Sequence, residues 1–269
     1  MKHLLITLLL IYLMLLILLY VFQRTLLYFP TVESVNTSYE RIVVTSGELQ
    51  INVLIDDLTT ENPSTDHAII YFGGNAESAW ASAQQLSPVF ADHIVYYMNY
   101  PGYGGSSGKP TEDSLFNAAN DLYRYVAESH AHITLVGRSL GTGVAMALAS
   151  QYSVPKLVLI SPYDSIASVA AGHYPIFPVR WLIKDKFDSL SRASEVKADV
   201  LMLIASDDEV VPAKHSERLL EALQQRNFAK EGNDQMPSVQ SRVFPQYRHN
   251  NIDAHPEFDE VIRGFLALM

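Results

Sequence analysis

A serine can act as a nucleophile when the backbone lifts it clear of its neighbours and a base takes its proton. Gly137-Arg138-Ser139-Leu140-Gly141 has the pattern for the first requirement. Residues 132–136 before it read as a short buried strand, and residues 144–149 after it read as a helix. A G-x-S-x-G between strand and helix is a nucleophile elbow, a tight turn that raises the hydroxyl at a sheet edge. Side chains at Gly137 and Gly141 would collide with the neighbouring strand and helix.

A serine hydroxyl is a weak nucleophile at neutral pH, so it needs a base, and the base needs an orienting acid. On such an elbow the chain order is serine, acid, histidine. Asp164, Asp207, Asp208 and Glu209 are acid candidates; Asp207 and Asp208 sit just past the apolar run 200–204. His215, His249 and His255 follow. His215 begins a helix before the last strand, and His255 precedes Pro256 at the start of the last helix. His249 lies in the loop after the last strand, so order makes it the base. The oxyanion of an acyl-transfer intermediate wants fixed N–H donors. One is the Leu140 N–H, next to the nucleophile. The other is assigned to the Asn75 N–H, in the Gly73-Gly74-Asn75 loop after the strand ending at Phe72.

Such chemistry needs no cofactor. His130 and His132 alternate before a strand but have no third ligand, so no metal site is assigned. Gly102, Gly104, Gly105 and Gly108 do not precede a helix carrying Lys-Ser/Thr, which excludes a phosphate-binding P-loop.

The elements that must position these residues alternate along the chain. Residues 41–44 and 49–55 read as an opening strand pair turned at Ser46-Gly47, followed by a polar loop over 56–66. Strands follow at 68–72, 94–98, 132–136, 157–160, 200–204 and, weakly, 239–244. Helices are expected at 78–90, 112–129, 144–149, 215–225 and 257–268, and a polar loop at 226–237. Continuous apolar runs are strands buried on both faces, and their alternation with helices implies a mostly parallel sheet covered on both sides. Ligands then bind beyond the carboxyl ends of the strands. Residues 165–196 read as irregular, rich in aromatics and proline. Within them, residues 172–181 are expected to form an apolar wall over the site.

The 269 residues suffice for one large domain or two small ones, and a net charge of −10 argues against nucleic-acid binding. There are no cysteines, which excludes disulfides and thiolate chemistry. Residues 4–22 carry no charge, Gly or Pro and are long enough to cross a bilayer as a helix. They run into Gln23-Arg24-Thr25-Leu26-Leu27-Tyr28-Phe29-Pro30 with no small-x-small cleavage site, so a retained anchor is expected rather than a signal peptide. Lys2 and the terminal amine, against Arg24 just beyond the other end, predict the hydrolase domain on the non-cytoplasmic side. The domain plan is an anchor over 1–24, a connector over 25–39 and a catalytic domain over 40–269.

Tyr71-Phe72-Gly73-Gly74-Asn75-Ala76, the stretch from Asn99 through Tyr103 to Gly108, the elbow, Asp208-Glu209-Val210-Val211-Pro212 and His249-Asn250 occur in order. Together they resemble the membrane-anchored α/β-hydrolases of the Bem46 and ABHD13/ABHD17 type, close to the serine aminopeptidase-like group. The resemblance covers the chain from Arg41 onward and the N-terminal span. It implies the α/β-hydrolase fold preceded by one transmembrane helix. It also selects Asp208 over Asp207, because the family acid stands one residue before an x-Val-Val-Pro-like stretch. The family usually has His-Gly-Asn-Ala where this chain has Gly73-Gly74-Asn75-Ala76, and often His-Gly where it has Ile204-Ala205. The expected function is a single-pass membrane serine hydrolase acting on an acyl ester or thioester, small-molecule or lipid, through Ser139, His249 and Asp208. A serine peptidase and a non-catalytic membrane-tethered interaction module are the alternatives.

Overall fold

Strand side chains alternate between two faces, so a sheet covered on both sides needs apolar residues at every position of its central strands. The computed structural model, which describes residues 1–32, 39–57, 66–226 and 237–267, has this organisation. In chain order the elements are α1 (Lys2–Leu27), β1 (Glu40–Ser46), β2 (Leu49–Asp56), β3 (His67–Phe72), α2 (Ala79–Leu86), β4 (Ile94–Met98) and α3 (Glu112–Ala127). Then come β5 (His132–Arg138), α4 (Leu140–Ala149), β6 (Lys156–Ile160), α5 (Ile166–His173), α6 (Val179–Leu182) and α7 (Ser189–Arg192). The chain continues with β7 (Asp199–Ala205), α8 (Ala213–Gln224), β8 (Val239–Phe244) and α9 (Phe258–Ala267). Most of the expected connector after Val32, most of the expected loops at 56–66 and 226–237, and Leu268 lie outside the described residues.

The eight strands form one sheet in the order β1-β2-β4-β3-β5-β6-β7-β8. β1, β2 and β4 pair antiparallel, and every pair from β4 to β8 is parallel. The chain leaves β3 for β4 on one side and returns to β5 on the other. β3 and β5 therefore flank the topological switch point, where open α/β sheets bind ligands. Phe72 pairs with Gly137 at the carboxyl end of this pair, so the Gly73-Gly74-Asn75 loop and the elbow leave the sheet side by side.

Alternate residues feed two cores. Ile70, Phe72, Leu135, Leu159 and Met202 pack with Leu115 of α3, Val144 of α4 and Leu219 of α8. Ile69, Tyr71, Val136, Val158 and Leu201 pack with Ala83 of α2 and Ile262 of α9. Burying each large aliphatic side chain contributes about 1.5–3 kcal/mol, so these runs dominate the stability of the sheet that carries the site.

Several helices differ from the sequence reading. α4 starts at Leu140 rather than 144, because the elbow turns directly into it and all ten of its residues are buried. α2 stops at Leu86, ahead of Pro88. The stretch read as irregular contains α5, α6 and α7, of eight, four and four residues. Helices that short carry too little periodicity to be read; α5 is started by Ser165, whose Oγ accepts the Ser168 N–H at 3.0 Å.

α1 extends past the expected boundary at residue 24 and spans 26 residues, about 39 Å at 1.5 Å per residue. It is long and apolar enough to cross a membrane. Most of its surface is exposed, but Tyr12, Leu16, Leu19, Gln23 and Leu27 form a half-buried stripe at helical spacing. The first part of the expected connector is bound to the domain: Tyr28 is buried, and the Gly104 N–H donates to Thr31 O at 2.9 Å.

Candidate active site

The elbow is built from close approach and strain. Ser139 has φ 49° and ψ −117°, a left-handed conformation that costs a non-glycine residue roughly 1–3 kcal/mol. A Cβ at Gly137 would stand 2.5 Å from Gly141 O, and one at Gly141 would collide with Phe72 O. Only glycine lets β5, β3 and α4 meet here. The Ser139 N–H donates to Ile160 O at 2.8 Å, tying the turn to β6.

Ser139, His249 and Asp208 come together, although 110 residues separate the first two. His249 Nε2 lies 2.8 Å from Ser139 Oγ, and His249 Nδ1 lies 2.7 Å from Asp208 Oδ2. Asp208 Oδ1 accepts the Val210 and Val211 N–H groups at 2.9 and 2.6 Å. Those two donors fix the carboxylate and leave Oδ2 to the imidazole. Both His249 and Asp208 are buried.

The other candidates have other surroundings. Asp207 is exposed, and its Oδ1 accepts the Ser206 hydroxyl at 2.7 Å. Glu209 is also exposed. Asp164 and His215 are buried and bonded to each other at 2.9 Å, with Arg218 Nη1 2.6 Å from the second carboxylate oxygen. His255 stacks on Phe244 with ring centroids 4.1 Å apart and accepts the Glu257 N–H, as a helix-entry residue. His130 is bonded to the Tyr96 hydroxyl, whereas His132 stacks on His67, so the two rings have separate partners.

Asn75 and Leu140 border the same cavity as Ser139. Two features of this loop are not legible in the motif. Glu77 holds it from within: Oε2 accepts the Gly74 N–H at 2.7 Å, while Oε1 accepts the Tyr71 and Ser82 hydroxyls. Glu77 thus supplies internal bonding in a loop that has Gly73 where the family usually has histidine. The Asn75 side chain faces the N-terminal segment. Its Nδ2 donates to Leu27 O at the end of α1, and its Oδ1 accepts the Phe29 N–H at 3.0 Å and the Tyr103 hydroxyl at 2.8 Å. Burial pushes the Tyr103 hydroxyl up to about 12, so it remains a donor at neutral pH.

The cavity has a volume of about 380 Å³. Tyr174, Phe177 and Val179 line it, as the expected apolar wall requires, but Trp181 does not: it is 90% exposed. Two turns of α1 complete the lining, which the sequence reading did not foresee. A buried acid–base–hydroxyl run at the end of an apolar cavity is suited to attack on a carbonyl attached to an apolar group. Among the described residues, no group of His, Asp and Glu is arranged to hold a metal ion.

Residues 72–233 match the alpha/beta hydrolase family. An uncharacterized protein of Mycobacterium tuberculosis is 32% identical over 74% of this chain and 75% of its own length. Protein bem46 of Schizosaccharomyces pombe is 27% identical over 93% of this chain and 87% of its own. Among solved structures, the Pyrococcus furiosus esterase Pf2001 superposes with a TM-score of 0.70 at 19% identity, covering 89% of this chain and 98% of that one. With its mostly parallel eight-stranded sheet, its elbow at the switch point and these relatives, the chain belongs to the α/β-hydrolase family.

Proposed function

We propose that this chain is a membrane-anchored serine hydrolase that cleaves an acyl ester or thioester. The observation that carries the reading is the unbroken hydrogen-bonded run from Asp208 through His249 to Ser139 beside an apolar cavity. Ser139 Oγ attacks the acyl carbonyl carbon while His249 Nε2 takes its proton. Asp208 holds the imidazole with Nδ1 protonated and stabilises the imidazolium that forms. The Leu140 and Asn75 N–H groups receive the negative charge on the carbonyl oxygen; one such donor contributes roughly a hundredfold to a thousandfold. His249 returns the proton to the leaving alkoxide or thiolate. A water, deprotonated by His249, then releases the acid from Ser139.

A fluorophosphonate probe tests this directly. The wild-type chain is expected to label and to hydrolyse acyl esters, and Ser139→Ala to do neither. Absence of labelling in the wild type, or undiminished labelling of the variant, overturns the assignment.

In this reading α1 spans the bilayer and stays in the mature protein. The hydrolase domain then lies on the non-cytoplasmic side, a bias that rests on Lys2 ahead of α1 against Arg24 at its other end. The native chain has no cysteine, so Ser129→Cys, exposed just past α3, gives a single reporter. It is expected to react with a membrane-impermeant maleimide on intact cells. Labelling only after lysis reverses the topology, and a soluble form lacking α1 removes the anchor.

A further inference from the structure

One wall of the cavity is the N-terminal helix itself. Leu19, Tyr20, Gln23, Leu26 and Leu27 line it, and their spacing puts them on one face of α1. The opposing lining comes from Phe177, Val179 and Leu182 in and before α6.

This wall is fastened along its length. Arg24 forks onto Asp185 through Nε and Nη2 at 2.8 and 3.0 Å, and the Asp185 side chain is buried. Gln23 accepts the Lys184 N–H at 2.6 Å and donates to Leu182 O at 3.3 Å. Higher on the helix, the Tyr12 hydroxyl donates to Ile176 O at 2.9 Å and its ring stacks on Phe177. Tyr12 lies about 22 Å along the axis from Leu27. In a helix that crosses a hydrocarbon core of about 30 Å, contacts at that distance bring the segment between α5 and α6 alongside the spanning helix, level with the lipid chains. The exposed side chains there suit lipid: Ile176 is 72% and Trp181 90% exposed, with Tyr174 half-exposed beside them. Exposed apolar side chains on this segment fit the lipid face that a spanning α1 would give it.

Resting on the serine-hydrolase reading above, we propose that α1 is part of the substrate site. The acyl chain of a membrane-resident ester lies in the cavity against α1, and Leu19 and Leu26 set the chain length that fits.

The test uses the full-length protein in detergent micelles and a series of p-nitrophenyl esters from acetate to palmitate. Leu19→Trp and Leu26→Trp fill space that would hold several methylenes, each worth roughly a fourfold gain in kcat/KM when buried. Both are expected to lower the palmitate-to-acetate ratio of kcat/KM by about tenfold or more. Leu19→Ala, which enlarges the same space, is expected to move the optimum toward longer chains. Ile17→Trp, on the lipid-facing side of the same helix, is expected to leave the profile unchanged. Opposite shifts from filling and emptying one position cannot come from misfolding. If the Leu19 and Leu26 variants move the profile no more than Ile17→Trp, the inference is overturned while the hydrolase reading stands. If the wild type neither labels with a fluorophosphonate nor cleaves any ester, the hydrolase reading fails and the inference falls with it.

Discussion

Among the described residues there are two buried aspartate–histidine pairs, and they are built almost alike. In one, His249 Nδ1 meets Asp208 at 2.7 Å; in the other, His215 Nδ1 meets Asp164 at 2.9 Å. Each aspartate follows the carboxyl end of a parallel strand. The difference lies in what else each pair touches. His249 has Ser139 Oγ within 2.8 Å of its second nitrogen, and Asp208 is otherwise held only by backbone N–H groups. Asp164 accepts from Arg218 and from the Ser165 N–H, and the neighbouring Ser216 hydroxyl donates to Pro162 O. The second pair pins α8 against the end of β6. A buried carboxylate–imidazole contact is therefore no signature of catalysis by itself. The serine hydroxyl on the far nitrogen and the cavity beyond it separate the two.

Mutations can break that comparison. The largest effect is expected for His249→Ala, which removes the proposed base and should lower kcat by roughly a millionfold in ester hydrolysis. His215→Ala should retain turnover in correctly folded protein, as counted by fluorophosphonate titration. Next comes Asp208→Asn, with an expected loss of about ten-thousandfold in kcat because the imidazole tautomer is no longer fixed. Asp164→Asn should act on stability instead, lowering it by about 2 kcal/mol in a denaturant titration, since Arg218 is half-exposed and can rehydrate. The smallest effect is expected for Asp207→Asn, whose carboxylate is exposed: stability within about 0.5 kcal/mol and kcat/KM within roughly twofold. If Asp164→Asn costs more turnover than Asp208→Asn in steady-state kinetics, the roles of the two pairs are exchanged.

Local features were the legible ones. The strands of the central sheet are short apolar runs that need burial on both faces, so their places could be read without contacts. Gly137 and Gly141 announce a turn that excludes side chains. Chain order alone distinguishes His249 from His215. It cannot distinguish Asp207 from Asp208, which are adjacent; the family resemblance made that choice, and in three dimensions the two carboxylates face solvent and imidazole respectively. What stayed hidden depends on contacts between distant segments. The Asn75 carboxamide reaches Leu27, 48 residues earlier, and Gln23 reaches Lys184, 161 residues later. Trp181 falls in the stretch expected to wall the cavity, but aromatic character says nothing about direction, and it turns outward.

The Asn75 carboxamide closes the last turn of α1, while the N–H of the same residue is a proposed oxyanion donor. A spanning helix answers a mismatch between its apolar length and the bilayer by tilting. Here tilt would not be absorbed by a slack tether, because the helix end is bonded to the residue next to the reacting carbonyl. On the proposed reading, a tilt set by bilayer thickness would therefore be passed to the whole hydrolase domain, which the Arg24–Asp185 and Tyr12–Ile176 contacts bind to the same helix.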